Sequence, residues 1–128
     1  MILVDTSVVI DAIRGKDAKL EGLLAALPVA ICGVVPAEVL CGAQDAAHRA
    51  KLVNHLIGSQ PVIFPDALWD SVGDNLATLR KNGVTVPMSD VINATLGIHL
   101  DIEVWARDSH YVDMQKALPA LKLFHEPP

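Results

Sequence analysis

Apolar positions follow two rhythms along this chain. Short unbroken runs, such as Ile2-Leu3-Val4 and Val29-Ala30-Ile31, are bounded by Pro, Gly or polar residues. Such runs read as strands buried on both faces, since alternation disappears when neither face meets water. Strands are expected at Ile2–Asp5, Val29–Ile31, Val62–Phe64, Glu103–Ala106 and Leu121–Phe124. Between them apolar residues recur at helical spacing. Leu20, Leu23, Leu24 and Leu27 are one example, stopped by Pro28. Helices are expected over Val8–Arg14, Asp17–Leu27, Val35–Gln44, Ala46–Ile57, Pro65 to about Lys81, Ser89 to about His99, and His110–Leu118. Gly15, Gly58 and Asn82-Gly83 provide the stops, and Pro36 is tolerated in a first turn. Strands alternating with helices imply βα units, right-handed crossovers and a three-layer α/β/α sandwich around a mainly parallel sheet of about five strands. With 128 residues and no linker, repeat or low-complexity stretch, residues 1–128 are expected to form one domain.

Composition narrows the function classes. About half the residues are apolar, enough for a substantial core. No apolar run approaches a membrane span, and the start lacks a basic n-region with a cleavage pattern, so a cytoplasmic location is expected. Cys32 and Cys41 lack a CxxC or framework spacing and read as small buried apolar residues. The net charge of −5 argues against a protein that coats nucleic acid, though not against an enzyme that cuts it. The tail Glu126-Pro127-Pro128 reads as frayed.

Most of the fifteen acidic residues are ordinary surface groups. Four stand apart by position. Asp5 ends the first strand, Glu38 lies in the first turn or two of the helix after the second, Asp90 opens the helix after Val86-Pro87-Met88, and Asp108 comes two residues after the fourth strand. In a parallel sheet all four places lie along the carboxyl edge, where open α/β sheets bind ligands. Taken singly, Glu38 and Asp90 complement helix dipoles, Ser89 with Asp90 caps a helix, and Asp108 is a turn residue. Together they put four carboxylates on one rim. Their repulsion would raise one or more pKa values unless a divalent cation relieved it. Oxygen ligands suit Mg2+ or Mn2+. The five histidines (His48, His55, His99, His110, His125) form no HxxxH or HExxH pattern and read as surface or packing residues. An acidic cation site of this kind suits phosphodiester hydrolysis with one ion or two. Thr6 and Ser7 could orient water or phosphate, and Asn93, one turn beyond Asp90, could bond that carboxylate or the substrate.

Four segments also carry a family resemblance. Ile2-Leu3-Val4-Asp5-Thr6-Ser7 with Val8-Val9-Ile10-Asp11 resembles the opening of PIN-domain ribonucleases. Pro36-Ala37-Glu38-Val39-Leu40-Cys41-Gly42 resembles their second motif, Asp90-Val91-Ile92-Asn93-Ala94-Thr95 the third, and Arg107-Asp108-Ser109-His110-Tyr111 the fourth. Order, spacing and length are similar to the VapC toxins of toxin–antitoxin pairs, over nearly the whole chain. The resemblance implies a PIN-like fold and a Mg2+- or Mn2+-dependent endoribonuclease acting on RNA, with Asp5, Glu38, Asp90 and Asp108 in the four acidic positions. It also implies a homodimer, and a VapB-like antitoxin whose C-terminal segment covers the active-site groove. Two positions depart from the pattern. Ala106 stands where a Thr or Ser often precedes the last acid, and Asn93 where an aliphatic residue is usual. Asp113, in mid-helix, is the alternative for the last acid. The helices Asp17–Leu27 and Ala46–Ile57 carry apolar stripes open to two readings, core packing or a groove for a partner helix.

Three rivals fit less well. A haloacid-dehalogenase-like phosphatase needs a second aspartate where Ser7 stands. A receiver-like module needs an acidic pair and a late lysine, and neither is found. A catalytically inactive PIN scaffold would have lost an acid, and all four remain.

Overall fold

A computed structural model describes residues 1–128. Five strands form one parallel sheet: β1 (Ile2–Val4), β2 (Val29–Cys32), β3 (Gln60–Val62), β4 (Glu103–Trp105) and β5 (Lys122–Leu123). Their order is β3-β2-β1-β4-β5. Every pair is parallel, with Ile2 opposite Val29 and Leu3 opposite both Ala30 and Val104. The helices are α1 (Thr6–Ile13), α2 (Ala18–Ala26), α3 (Val34–Leu40), α4 (Ala46–Leu56), α5 (Trp69–Lys81), α6 (Met88–Leu100) and α7 (His110–Ala117), with a 3-10 turn at Asp66–Leu68 before α5.

The two-residue period of the strands sorts the core into two halves. Leu3, Ala30, Cys32 and Val104 face α5, α6 and α7, packing with Val72, Leu79, Val91, Leu96, Tyr111 and Met114. Ile2, Val4, Val29, Ile31 and Trp105 face α1 to α4, packing with Val8, Val9, Leu20, Val35 and Leu52. Central strands buried on both sides explain the unbroken apolar runs. Right-handed crossovers explain the division. The chain winds outward from β1 through β2 to β3, then crosses back to β4 on the other side of β1. Strand order therefore reverses between β1 and β4, and the carboxyl ends of those two strands flank the resulting crevice.

Four expectations need correction. Cys41, at the C-terminal end of α3, is exposed, and only Cys32 is buried. β3 occupies Gln60–Val62, not Val62–Phe64. It is an edge strand, so one side needs no partner and Pro61 is tolerated there. Ile63 beyond it is 88% exposed. The helix after β2 starts at Val34 and ends at Leu40, short of Gln44. The tail is tied down rather than frayed: Glu126 accepts hydrogen bonds from Trp105 Nε1 and Arg107, and Lys19 Nζ donates to the Pro127 carbonyl.

Candidate active site

Asp5 follows β1 directly and is the N-cap of α1 rather than the last strand residue. Its backbone N–H donates to the Trp105 carbonyl of β4 across the crevice. The carboxylate is 2% exposed yet receives four donors. Ser7 N and Ser7 Oγ donate to Oδ2 at 3.0 and 2.6 Å. Asn93 Nδ2 and Tyr111 Oη donate to Oδ1 at 3.1 and 2.7 Å. A buried carboxylate is tolerable only with such compensation.

Asp90 lies in the first turn of α6, and its side chain is only 9% exposed. Burial, followed by the like charges of Asp5 and Asp108, pushes its carboxyl up to about 6, against the opposing hydrogen bond to His110. Asp108, in the loop between β4 and α7, is raised in the same direction by burial and by Asp5. These mutual effects place Asp5, Asp90 and Asp108 in one electrostatic centre. Ser89 and Asp90 were candidates for a helix cap. No side chain caps α6, however, and Ser89 Oγ donates to Glu38 Oε2 at 3.3 Å instead. Thr6 Oγ1 donates to Glu38 Oε1 at 2.8 Å. Glu38 is exposed, held between the neighbours of Asp5 and Asp90 on the same rim.

His110 is the residue that sequence reasoning missed. It is not merely a surface or packing residue: Nδ1 lies 2.8 Å from Asp90 Oδ2 and 3.5 Å from Asp108 Oδ1. The Asp90 contact, above all, raises its pKa. One donor atom each from Asp90, Asp108 and His110 fall within 4.8 Å of one another. The missed signal was the Asp108-Ser109-His110 spacing, an Asx turn in which the His110 N–H donates to Asp108 Oδ1 at 2.9 Å. Tyr111, which closes the fourth motif, contributes its hydroxyl: it anchors Asp5 Oδ1 at 2.7 Å. Burial, then the Asp5 charge, pushes that phenol far above its usual range, so it remains a donor. Asp113 is not in the centre; it is exposed on α7, 3.7 Å from Lys116.

The donor set fits a divalent cation. Three carboxylates share a partly buried space, and burial, with the like charges beside it, raises the carboxyl of Asp90 to about 6. Asn93 adds a second sign. It is fully buried, Nδ2 is committed to Asp5, and Oδ1 has no hydrogen-bond partner. An orphaned buried acceptor of this kind is unusual without water or an ion nearby. The hydroxyls of Thr6 and Ser7 are both occupied in holding carboxylates.

No protein-family model matches the chain, and no curated protein sequence matches it significantly. Solved structures do resemble it. A chain of the Rickettsia felis VapBC2 complex, crystallised with a DNA fragment from its promoter, superposes with a TM-score of 0.81 at 20% identity. The match covers 97% of this chain and 98% of that one. A chain of FitAcB from Neisseria gonorrhoeae gives 0.78 at 17% identity over 98% and 97%. VapBC-1 from nontypeable Haemophilus influenzae gives 0.79 at 16% over 97% of both chains. At such identities the likeness speaks for architecture, and this chain therefore has the PIN-like α/β/α fold found in chains of VapBC toxin–antitoxin complexes.

Proposed function

We propose that the protein is a VapC-type toxin, a divalent-cation-dependent endoribonuclease that hydrolyses RNA phosphodiester bonds and is neutralised by a VapB-like antitoxin. The observation that carries this is the convergence of Asp5, Asp90 and Asp108 where strand order reverses, with Glu38 tethered beside them by Thr6 and Ser89. Asp90 and Asp108 would hold the Mg2+ or Mn2+ directly, and Asp5 would add charge from behind, because four donors already occupy its oxygens. A bound dication would supply Lewis acidity towards the phosphodiester and lower the pKa of water. The protein's own part is positioning and proton handling. Glu38, exposed and fixed at both oxygens, orients the attacking water and accepts its proton. Asn93 and Tyr111 hold Asp5 in one rotamer, which fixes the field that Asp90 and Asp108 experience.

An antitoxin is supported by a groove of about 260 Å³ lined by Val9, Ala12, Leu24, Ala25 and His55, between α1, α2 and α4. A cytoplasmic homodimer belongs to the same proposal. No helix is long and apolar enough to cross a membrane, and exposed Ile57, Ile63 and Trp69 offer apolar surface to a second copy.

The test is cut-site mapping in total RNA with Mg2+ or Mn2+, comparing wild type with Asp90→Asn and with excess EDTA. Cleavage at defined sites is expected from wild type only. Undiminished cutting by the variant, or in EDTA, would refute the proposal.

A further inference from the structure

We propose that His110 is itself a ligand, through Nδ1, in the cation centre it shares with Asp90 and Asp108, and that this nitrogen biases the centre towards Co2+ or Zn2+ over Mg2+. This rests on the metal-dependent reading above. The spacing carries it. Ligand atoms bound about 2.1 Å from one ion lie roughly 3.0 Å apart at adjacent octahedral positions, and about 3.4 Å apart in a tetrahedron. Nδ1 stands 2.8 Å from Asp90 Oδ2 and 3.5 Å from Asp108 Oδ1, and all three donor atoms lie within 4.8 Å of one another. The two distances from Nδ1 match edges of a coordination polyhedron.

The ring is also held there. The His110 N–H is fixed on Asp108 Oδ1, and the next residue, Tyr111, is anchored on Asp5. His110 therefore begins α7 between two restraints, with its side chain turned to the carboxylates. Asn93, one turn along α6 from Asp90, adds a buried amide to the centre: Nδ2 donates to Asp5 Oδ1 at 3.1 Å, and Oδ1 has no hydrogen-bond partner.

The ligand type decides the ion. Carboxylate and water suit Mg2+, whereas imidazole suits Zn2+, Ni2+ and other later first-row ions. A ring carrying its one proton on Nε2 offers the Nδ1 lone pair. Any proton on Nδ1 passes to solvent when the ion binds.

The test uses the full chain stripped of metal, titrated calorimetrically with Mn2+, Co2+ and Mg2+. Pulsed electron paramagnetic resonance of the Mn2+ form reads nitrogen coupling. Expected are a coupled nitrogen in wild type, its loss in His110→Ala, and a tenfold or greater drop in Co2+ affinity with Mg2+ affinity nearly unchanged. Because the His110 side chain is 43% exposed, the variant is expected to fold, which circular dichroism checks. Cation binding with no nitrogen coupling, and equal affinity in His110→Ala, overturns the proposal and leaves the nuclease reading standing. No cation binding at millimolar concentration overturns both.

Discussion

Arg107 grips Glu126 with two parallel hydrogen bonds, Nε to Oε2 at 2.8 Å and Nη2 to Oε1 at 2.7 Å. The same guanidinium reaches Asp11 at 3.2 Å and Asp17 at 3.0 Å. Its backbone N–H donates to Ser7 Oγ, which in turn donates to Asp5 Oδ2. One residue thus ties the tail, α1, the α2 cap and the loop carrying Asp108 to the acidic centre.

Glu126→Ala is expected to lower stability by about 1 kcal/mol, the worth of charge-assisted hydrogen bonds discounted for partial solvent screening. The Arg107 contact depresses the Glu126 pKa. Its contribution is therefore present above the ordinary carboxylate value and is lost as pH falls through the lower folded one. Thermal melts of wild type and variant should converge below that value. Equal melting at neutral pH would show that the grip is worth nothing.

The tail was unreadable in the sequence because its partner lies 19 residues back and no local period announces the pairing. The central strands were legible for the opposite reason. β1, β2 and β4 are buried on both faces, so apolar character alone marks Ile2–Val4, Val29–Cys32 and Val104–Trp105. β3 was misplaced because an edge strand may carry Gln60 and Pro61, while the more apolar Ile63 faces outward. Asp5, Asp90 and Asp108 could be singled out because each stands near a strand's carboxyl end or a helix start, whereas Glu38 lies further along the short helix α3. His110 could not be picked out by a search for paired histidines, since its principal partner is Asp90, 20 residues away on another helix.

Tyr111→Phe is expected to cost about 2 kcal/mol, a typical value for a buried hydrogen bond to a charged acceptor. The ring is 1% exposed and keeps its packing, so the change isolates the hydroxyl on Asp5 Oδ1. Chemical denaturation with an unchanged m-value would show that only this bond was lost. A shift under half that size would mean that water replaces the phenol.

Gly97→Ala tests how closely α6 must approach the sheet. A Cβ there would come within 2.5 Å of Val104 Cγ2 on β4, a residue only 1% exposed. Helix propensity alone favours alanine by about 1 kcal/mol. Overpacking costs typically 1–3 kcal/mol, and the rigid, β-branched Val104 leaves little room to yield. Net destabilisation is expected, together with weaker cation binding as Asp90 is displaced. A more stable variant with intact binding would mean that the helix rides further from the sheet.

Asp90 makes the pH dependence of the metal-free protein unusual. Its carboxyl is ordinary at 3.8 and raised to about 6 on folding. Between those values the folded state binds more protons than the unfolded one, so stability falls as pH rises. His110 acts in the same direction. Its raised pKa means that its pairing stabilises below the ordinary imidazole value and is lost as pH climbs through the folded one. In EDTA, melting temperature should therefore decline from about pH 4 to neutrality. Asp90→Asn should remove the acid part of that decline and melt higher at pH 7, by on the order of 1 kcal/mol after allowance for solvent. Millimolar Mn2+ should reverse the slope for wild type only, because a dication competes with the protons and rewards ionised carboxylates. A variant with the wild-type pH slope in EDTA would mean that the ionised centre carries no electrostatic penalty, and with it would go the physical reason for a cation.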